Sequence, residues 1–218
     1  MYRKRHNGQL SIEEFHVPFG GTLDPDNRWV VFSALMPWEE LEETYAPQFS
    51  PTTGAPAKSV RLAFGALFIK QRLGLTDEET VEQIRENAYM QFFLGFAGYS
   101  SKAPFDPSMM VHFRKRFSEE DLKRINELIA ERGKAMVIEA VSVASAKQPV
   151  GLVVIGVGRD RPMVLKAIGG NPHIRLIDGV RDRALLARMM ASADGFIHGC
   201  ESETFGIVIA EVASSGVP

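Results

Sequence analysis

In CESETFGIVIAEVASSGVP, residues 200–218, Glu203 and Glu211 are separated by seven mostly small or apolar residues. A helix beginning near Phe205 leaves its first backbone N–H groups unpaired and carries the positive end of its dipole there, an arrangement that suits a diphosphate. Eight residues span close to whole helical turns, so Glu211 returns to the side that Glu203 flanks. The spacing suggests a sugar-nucleotide site. The same spacing also fits a solvated helix face, and the residues alone leave both readings open. His198 and Glu201 lie at the end of the strand expected to precede this helix, the usual crevice for ligands in open α/β sheets.

A second stretch, DPSMMVHFRKRF, residues 106–117, carries different chemistry. On a helical wheel Met109, Met110, Phe113 and Phe117 fall on one side, while Ser108, His112 and Lys115 lie opposite, flanked by Arg114 and Arg116. One face packs and the other is cationic and hydrogen-bonding, which is what reading a DNA major groove requires. A charged face that meets only solvent has the same pattern. No second metal ligand stands at a useful spacing from His112, so no metal site is expected.

The elements that must position these residues belong to two kinds. From Met36 to about Ile138 the apolar residues recur at helical spacing. AKSVRLAFGALFIKQRLG predicts a buried central helix closed by Gly74, and TDEETVEQIREN carries a capping box of Thr76 and Glu79. Asp106 and Pro107 start the basic helix, and Ser118 caps a final helix expected to end near Gly133. After Ala146 short β-branched runs alternate with short helices. VGLVVIGVG, HIRLID and GFIHG read as strands, RPMVLKAI and DRALLARMMASA as helices, the latter capped by Asp182. That alternation predicts a parallel, three-layer α/β arrangement. The expected fold class is therefore mixed: an all-α N-terminal domain, residues 1–142, then a linker at 143–150, then a partial α/β (Rossmann-like) fragment over 151–218. The seam VSVASAKQPV is small, polar and carries a proline, as a linker does.

Composition bounds the partners. At 218 residues with a net charge of −2, any DNA contact needs a local basic face rather than a global field. The single cysteine, Cys200, excludes an internal disulfide framework and fits a reducing compartment. MYRKRHNGQL lacks the apolar run of a secretion signal, and no stretch has the length of a transmembrane helix. A cytoplasmic location without a membrane segment is expected.

Two resemblances give these features roles. RLAFGALFIKQRLGLTDEETVEQIRENAYMQFFLGF, followed by FDPSMMVHFRKRF and a long helix, resembles the N-terminal region of insertion-sequence transposases with an Asp-Asp-Glu catalytic core, over about residues 1–145. The resemblance implies a helical module that helps bind transposon-end DNA, with Ser108, His112, Arg114, Lys115 and Arg116 as the DNA-facing set. It implies no catalysis, because the first metal-binding aspartate of that family lies in a downstream strand. Asp160, Asp178, Asp182 and Asp194 do not stand in that context, so no catalytic triad, metal or cofactor is assigned.

Residues from about Gly151 to Pro218 resemble part of the donor-binding domain of retaining glycosyltransferases built from two Rossmann-like domains, through VVIGVGRDRP and ASADGFIHGCESETFGIVIAEVASSGVP. Here the resemblance implies that Glu203 sits beside the transferred sugar as a vestigial catalytic residue. It implies that the Phe205–Gly206–Ile207 backbone approaches the donor and that Glu211 accepts hydrogen bonds from the ribose, with a nucleoside-diphosphate sugar as a second partner. The family's acceptor domain and its Arg/Lys diphosphate pair have no counterpart upstream, and the family pattern continues beyond SSGVP. The expectation is a composite: a DNA-binding module lacking the transposase core, fused to an incomplete glycosyltransferase fragment. A remnant sugar-nucleotide-binding fragment and a composite without function are the alternatives. Neither catalytic apparatus is complete, which leaves enzyme activity unassigned.

Overall fold

The computed structural model describes Tyr2 and residues 11–50, 53–54, 56–197 and 212–216. The chain divides into two compact units, Met1–Ile129 and Ala130–Pro218.

The first unit is helical. It contains α1 (Arg28–Leu35), α2 (Trp38–Tyr45), α3 (Val60–Leu73), α4 (Asp77–Glu86), α5 (Ala88–Phe93), α6 (Met109–Arg114) and the start of α7 (Glu119–Ser145). The caps follow from side-chain chemistry. Ser59 accepts from the backbone N–H of Leu62, Thr76 and Glu79 form a reciprocal capping box, and Asn87 accepts from both Tyr89 and Met90. Gly74 closes α3 in the left-handed conformation, at φ +66°.

Helix α3 is the axis of this unit and buries Val60, Arg61, Leu62, Ala63, Phe64, Gly65, Ala66 and Ile69. Gly65 is needed because a Cβ there would stand 2.4 Å from Cδ2 of Leu94. Around α3, Phe93 touches Trp29, Trp38 and Phe68 with ring centroids 5.4–5.7 Å apart. The buried Arg61 donates to the carbonyls of Phe92 and Phe93, where α5 ends, and lies 4.8 Å over the Trp38 ring. Its burial draws the guanidinium down to about 10.

Helix α7 corrects one expectation. It does not end near Gly133 but runs unbroken to Ser145. A glycine inside a helix costs only about 1 kcal/mol relative to alanine, and burial outweighs it. Ile125 and Ile129 pack into the first unit's core, and Ile138 and Val141 into the second's. The division between units therefore falls on this helix, upstream of the 143–150 seam.

In the second unit β1 (Leu152–Ile155) pairs in parallel with β2 (Ile174–Ile177), with Leu152 opposite Ile174 and Ile155 opposite Ile177. The crossover is α8 (Arg161–Ile168), and α9 (Arg183–Ala191) follows β2, capped by Asp182 as expected. One sheet face, Leu152, Val154, Ile174 and Leu176, packs against Val164, Ile168 and Ile138. The strand expected at GFIHG is corrected for its described residues, since Gly195–Ile197 form no strand; 198 and 199 lie outside the described set. Its apolar pair, Phe196 and Ile197, remains exposed, so burial supplies no gain for pairing there. The class is nonetheless the mixed one expected: helices first, then a partial α/β fragment.

Candidate nucleic-acid interface

The basic helix is shorter than its sequence pattern. The Asp106 carboxylate accepts from the backbone N–H of Ser108 at 2.9 Å and from its hydroxyl at 2.6 Å, which lowers its pKa and folds the turn that starts α6. The helix proper ends at Arg114, and a tighter turn follows in which the N–H of Arg116 bonds to the carbonyl of Phe113. Met110, Phe113 and Phe117 are buried as the wheel requires. Phe113 packs on Phe105, and Phe117 on Tyr45 and Phe64.

The opposite side divides into engaged and open residues. Arg114 donates to both oxygens of Asp77, at 2.8 and 2.9 Å, and Lys70 lies 3.1 Å from the same carboxylate. These cations, Arg114 foremost, hold the Asp77 carboxyl down at about 2. Arg116 donates to the Gln48 carbonyl at 3.0 Å and lies 4.3 Å over the Phe49 ring, while Gln48 donates back to the Arg116 carbonyl at 2.7 Å. Ser108 spends its hydroxyl proton on Asp106. His112 and Lys115 are exposed, and Val111 between the two faces is 42% exposed.

Of the five residues singled out from the sequence, His112 and Lys115 are exposed, Ser108 bonds Asp106, and Arg114 and Arg116 are fixed to neighbouring elements. Sequence reading missed the partners, Asp77, Lys70, Gln48 and Phe49. Asp77 reads in sequence as an ordinary first-turn acid complementing the dipole of α4, and nothing local marks a partner 37 positions away.

The second candidate site, Glu203, Phe205, Gly206, Ile207 and Glu211, lies outside the described residues, as do His198, Cys200 and Glu201. What is described is the carboxyl end of the two-stranded sheet. Asp160 pairs with Lys134, Asp178 stands 2.8 Å from Arg161, and Asp182 accepts from the N–H groups of Ala184 and Leu185. Those carboxylates are committed to ion pairs and a helix cap. Among the described residues no group of three or more His, Cys, Asp or Glu is placed to hold a metal ion. No described helix is long and apolar enough to cross a membrane.

Comparison with known proteins finds a different family model over each part. Residues 18–116 match Transposase domain (DUF772), and residues 124–218 match Glycosyl transferases group 1. An uncharacterized protein, ORF8 in the nfe locus of Rhizobium meliloti, is 35% identical over 133 residues, covering 58% of this chain and 64% of that protein. A GDP-mannose-dependent alpha-mannosyltransferase of Corynebacterium glutamicum is 24% identical over 148 residues, covering 68% of this chain and 35% of that enzyme. The chain therefore spans just under two thirds of the first relative and about a third of the second. No solved structure matches it.

Proposed function

We propose that this chain, transposase-like over residues 18–116 and glycosyl-transferase-like over 124–218, is a transposon-end DNA-binding module joined, between those two matched segments, to part of a donor-binding domain. The observation that carries the reading is the exposed edge of α6. His112 and Lys115 project from a helix whose apolar side is locked into the core and whose ends are fixed through Arg114 and Arg116. A short helix of this kind cannot hold itself in water, so the burial of Met110, Phe113 and Phe117 keeps its polar edge presented. Lys115 meets backbone phosphate and His112 a base edge or phosphate, with Ser108, Arg114 and Arg116 bordering the footprint. Lys115→Ala in the full chain is expected to weaken binding to linear duplex DNA and flatten the salt dependence by about one unit of slope. An unchanged slope means that α6 faces away from the nucleic acid.

A second reading concerns residues 151–218 and is favoured by the family match there and by the mannosyltransferase relative. Glu211 binds the ribose of a nucleoside diphosphate and Glu203 adjoins the sugar, so residues 151–218 serve donor binding rather than transfer, which also needs an acceptor set against the sugar and cations on the diphosphate. Calorimetry with guanosine diphosphate should show any affinity falling more with Glu211→Gln than with Glu203→Gln. Sugar turnover abolished by Glu203→Gln would overturn the view that the fragment is catalytically dead.

A further inference from the structure

The ion cluster beside α6 has the form of an anion site already filled. Asp77 is the first residue of α4 and shares its carboxylate between Arg114, bound through both oxygens at 2.8 and 2.9 Å, and Lys70 at 3.1 Å. A guanidinium fork meets two oxygens of a phosphate with the same geometry it uses for a carboxylate. Lys70 is fixed toward this point by a second bond, to the Leu75 carbonyl at 2.7 Å. None of the three is sealed away: the side chains of Asp77, Lys70 and Arg114 are 20%, 29% and 44% exposed. Ion pairs with this much water contact contribute little net stability, so a polyanion presenting several phosphates competes with the carboxylate on favourable terms. Lys115, the residue after Arg114, lies on the open edge where such a polyanion arrives.

We propose that Lys70 and Arg114 form a phosphate-binding site, occupied in the free protein by the carboxylate of Asp77, which a backbone phosphate of DNA displaces when α6 engages the duplex. The proposal rests on the DNA-binding reading above and adds to it Lys70 as a contact and Asp77 as an internal competitor. The strongly lowered Asp77 pKa agrees with a carboxylate surrounded by anion-binding groups. In this arrangement Asp77 subtracts two cations from the footprint that DNA first meets and so restrains sequence-independent binding.

The test is fluorescence anisotropy of a linear mixed-sequence duplex with the full chain across a sodium chloride series. Asp77→Asn, which keeps the side-chain shape, should tighten binding several-fold with the salt slope close to that of wild type, because phosphates meet both cations in either complex and only the internal competitor is lost. Adding Arg114→Gln should weaken binding again and flatten the slope by about one unit, since one phosphate contact is lost. Asp77→Ser, tolerated at a helix start, should behave like Asp77→Asn, and circular dichroism checks that each variant is folded. Binding no tighter than wild type in both Asp77 variants overturns the proposal while leaving the α6 reading intact. Wild-type binding that is insensitive to salt and to Lys115→Ala overturns both.

Discussion

Helices α3 and α9 have similar apolar content but opposite fates. Eight residues of α3 are buried, on nearly every side of the helix, whereas none of α9 is buried although it contains Leu185, Leu186, Met189 and Met190. In the first unit α2, α4, α5 and α6 pack against α3, and Trp29 and Trp38 belong to the same core. In the second, one sheet face is packed and the other carries Val153 at 53% exposure, with Val157 beyond it at 70%. Parallel sheets are ordinarily covered on both faces. Apolar residues alone do not make a core; enough elements must surround them to remove them from water. The first unit satisfies this condition and the described part of the second does so on one side.

The largest expected effect that tests the contrast is on folding. Phe93→Ala removes a fully buried ring at the meeting point of Trp29, Trp38 and Phe68 and should cost about 3–5 kcal/mol, a large share of the stability of an ordinary domain. Val164→Ala in the smaller core should cost about 1–2 kcal/mol, since fewer neighbours surround the lost methyl groups. Denaturant melts of the two variants measure this directly, and equal losses would break the contrast.

An intermediate effect concerns the junction. Limited proteolysis should cut first within 146–150, after α7 has ended at Ser145 and before β1 begins at Leu152. Early cutting between Val60 and Leu73 would mean that α3 is not the stable centre.

The smallest effect is electrostatic. The folded-state pKa of Asp77 is lowered to about 2, so its contribution is present above the unfolded pKa near 3.9 and is lost as pH falls through the folded value. Asp77→Asn should therefore lower thermal stability by up to about 1 kcal/mol at neutral pH, with the difference from wild type fading between about pH 4 and pH 2. A difference that persists at the acid end would show that the loss is not due to the ion cluster.

Much of the helical architecture was already legible as local chemistry. The capping box of Thr76 and Glu79, the glycine stop at Gly74 and the Asp182 cap need only residues within a turn of one another, and all form as read. The apolar wheel of residues 106–117 placed Met110, Phe113 and Phe117 inward correctly, because helical periodicity alone decides that face. The length of α7 was not legible. Gly133 and the small residues of VSVASA signal an ending, but Ile125 and Ile138 each find a separate core, and that burial carries the helix across.

What the sequence determined by itself was the class of each half, the helix caps and the inward face of α6, which rest on local pattern, and the resemblance of each half, which rests on the order of its segments. Only the tertiary structure decided which cations of the basic edge stay open. Arg114 and Arg116 look equivalent to Lys115 in RKR, yet each has been claimed by a residue tens of positions away, Asp77 and Gln48. Whether a charge faces solvent or a partner depends on what folding brings within about 3 Å of it, and a sequence pattern carries no record of that distance.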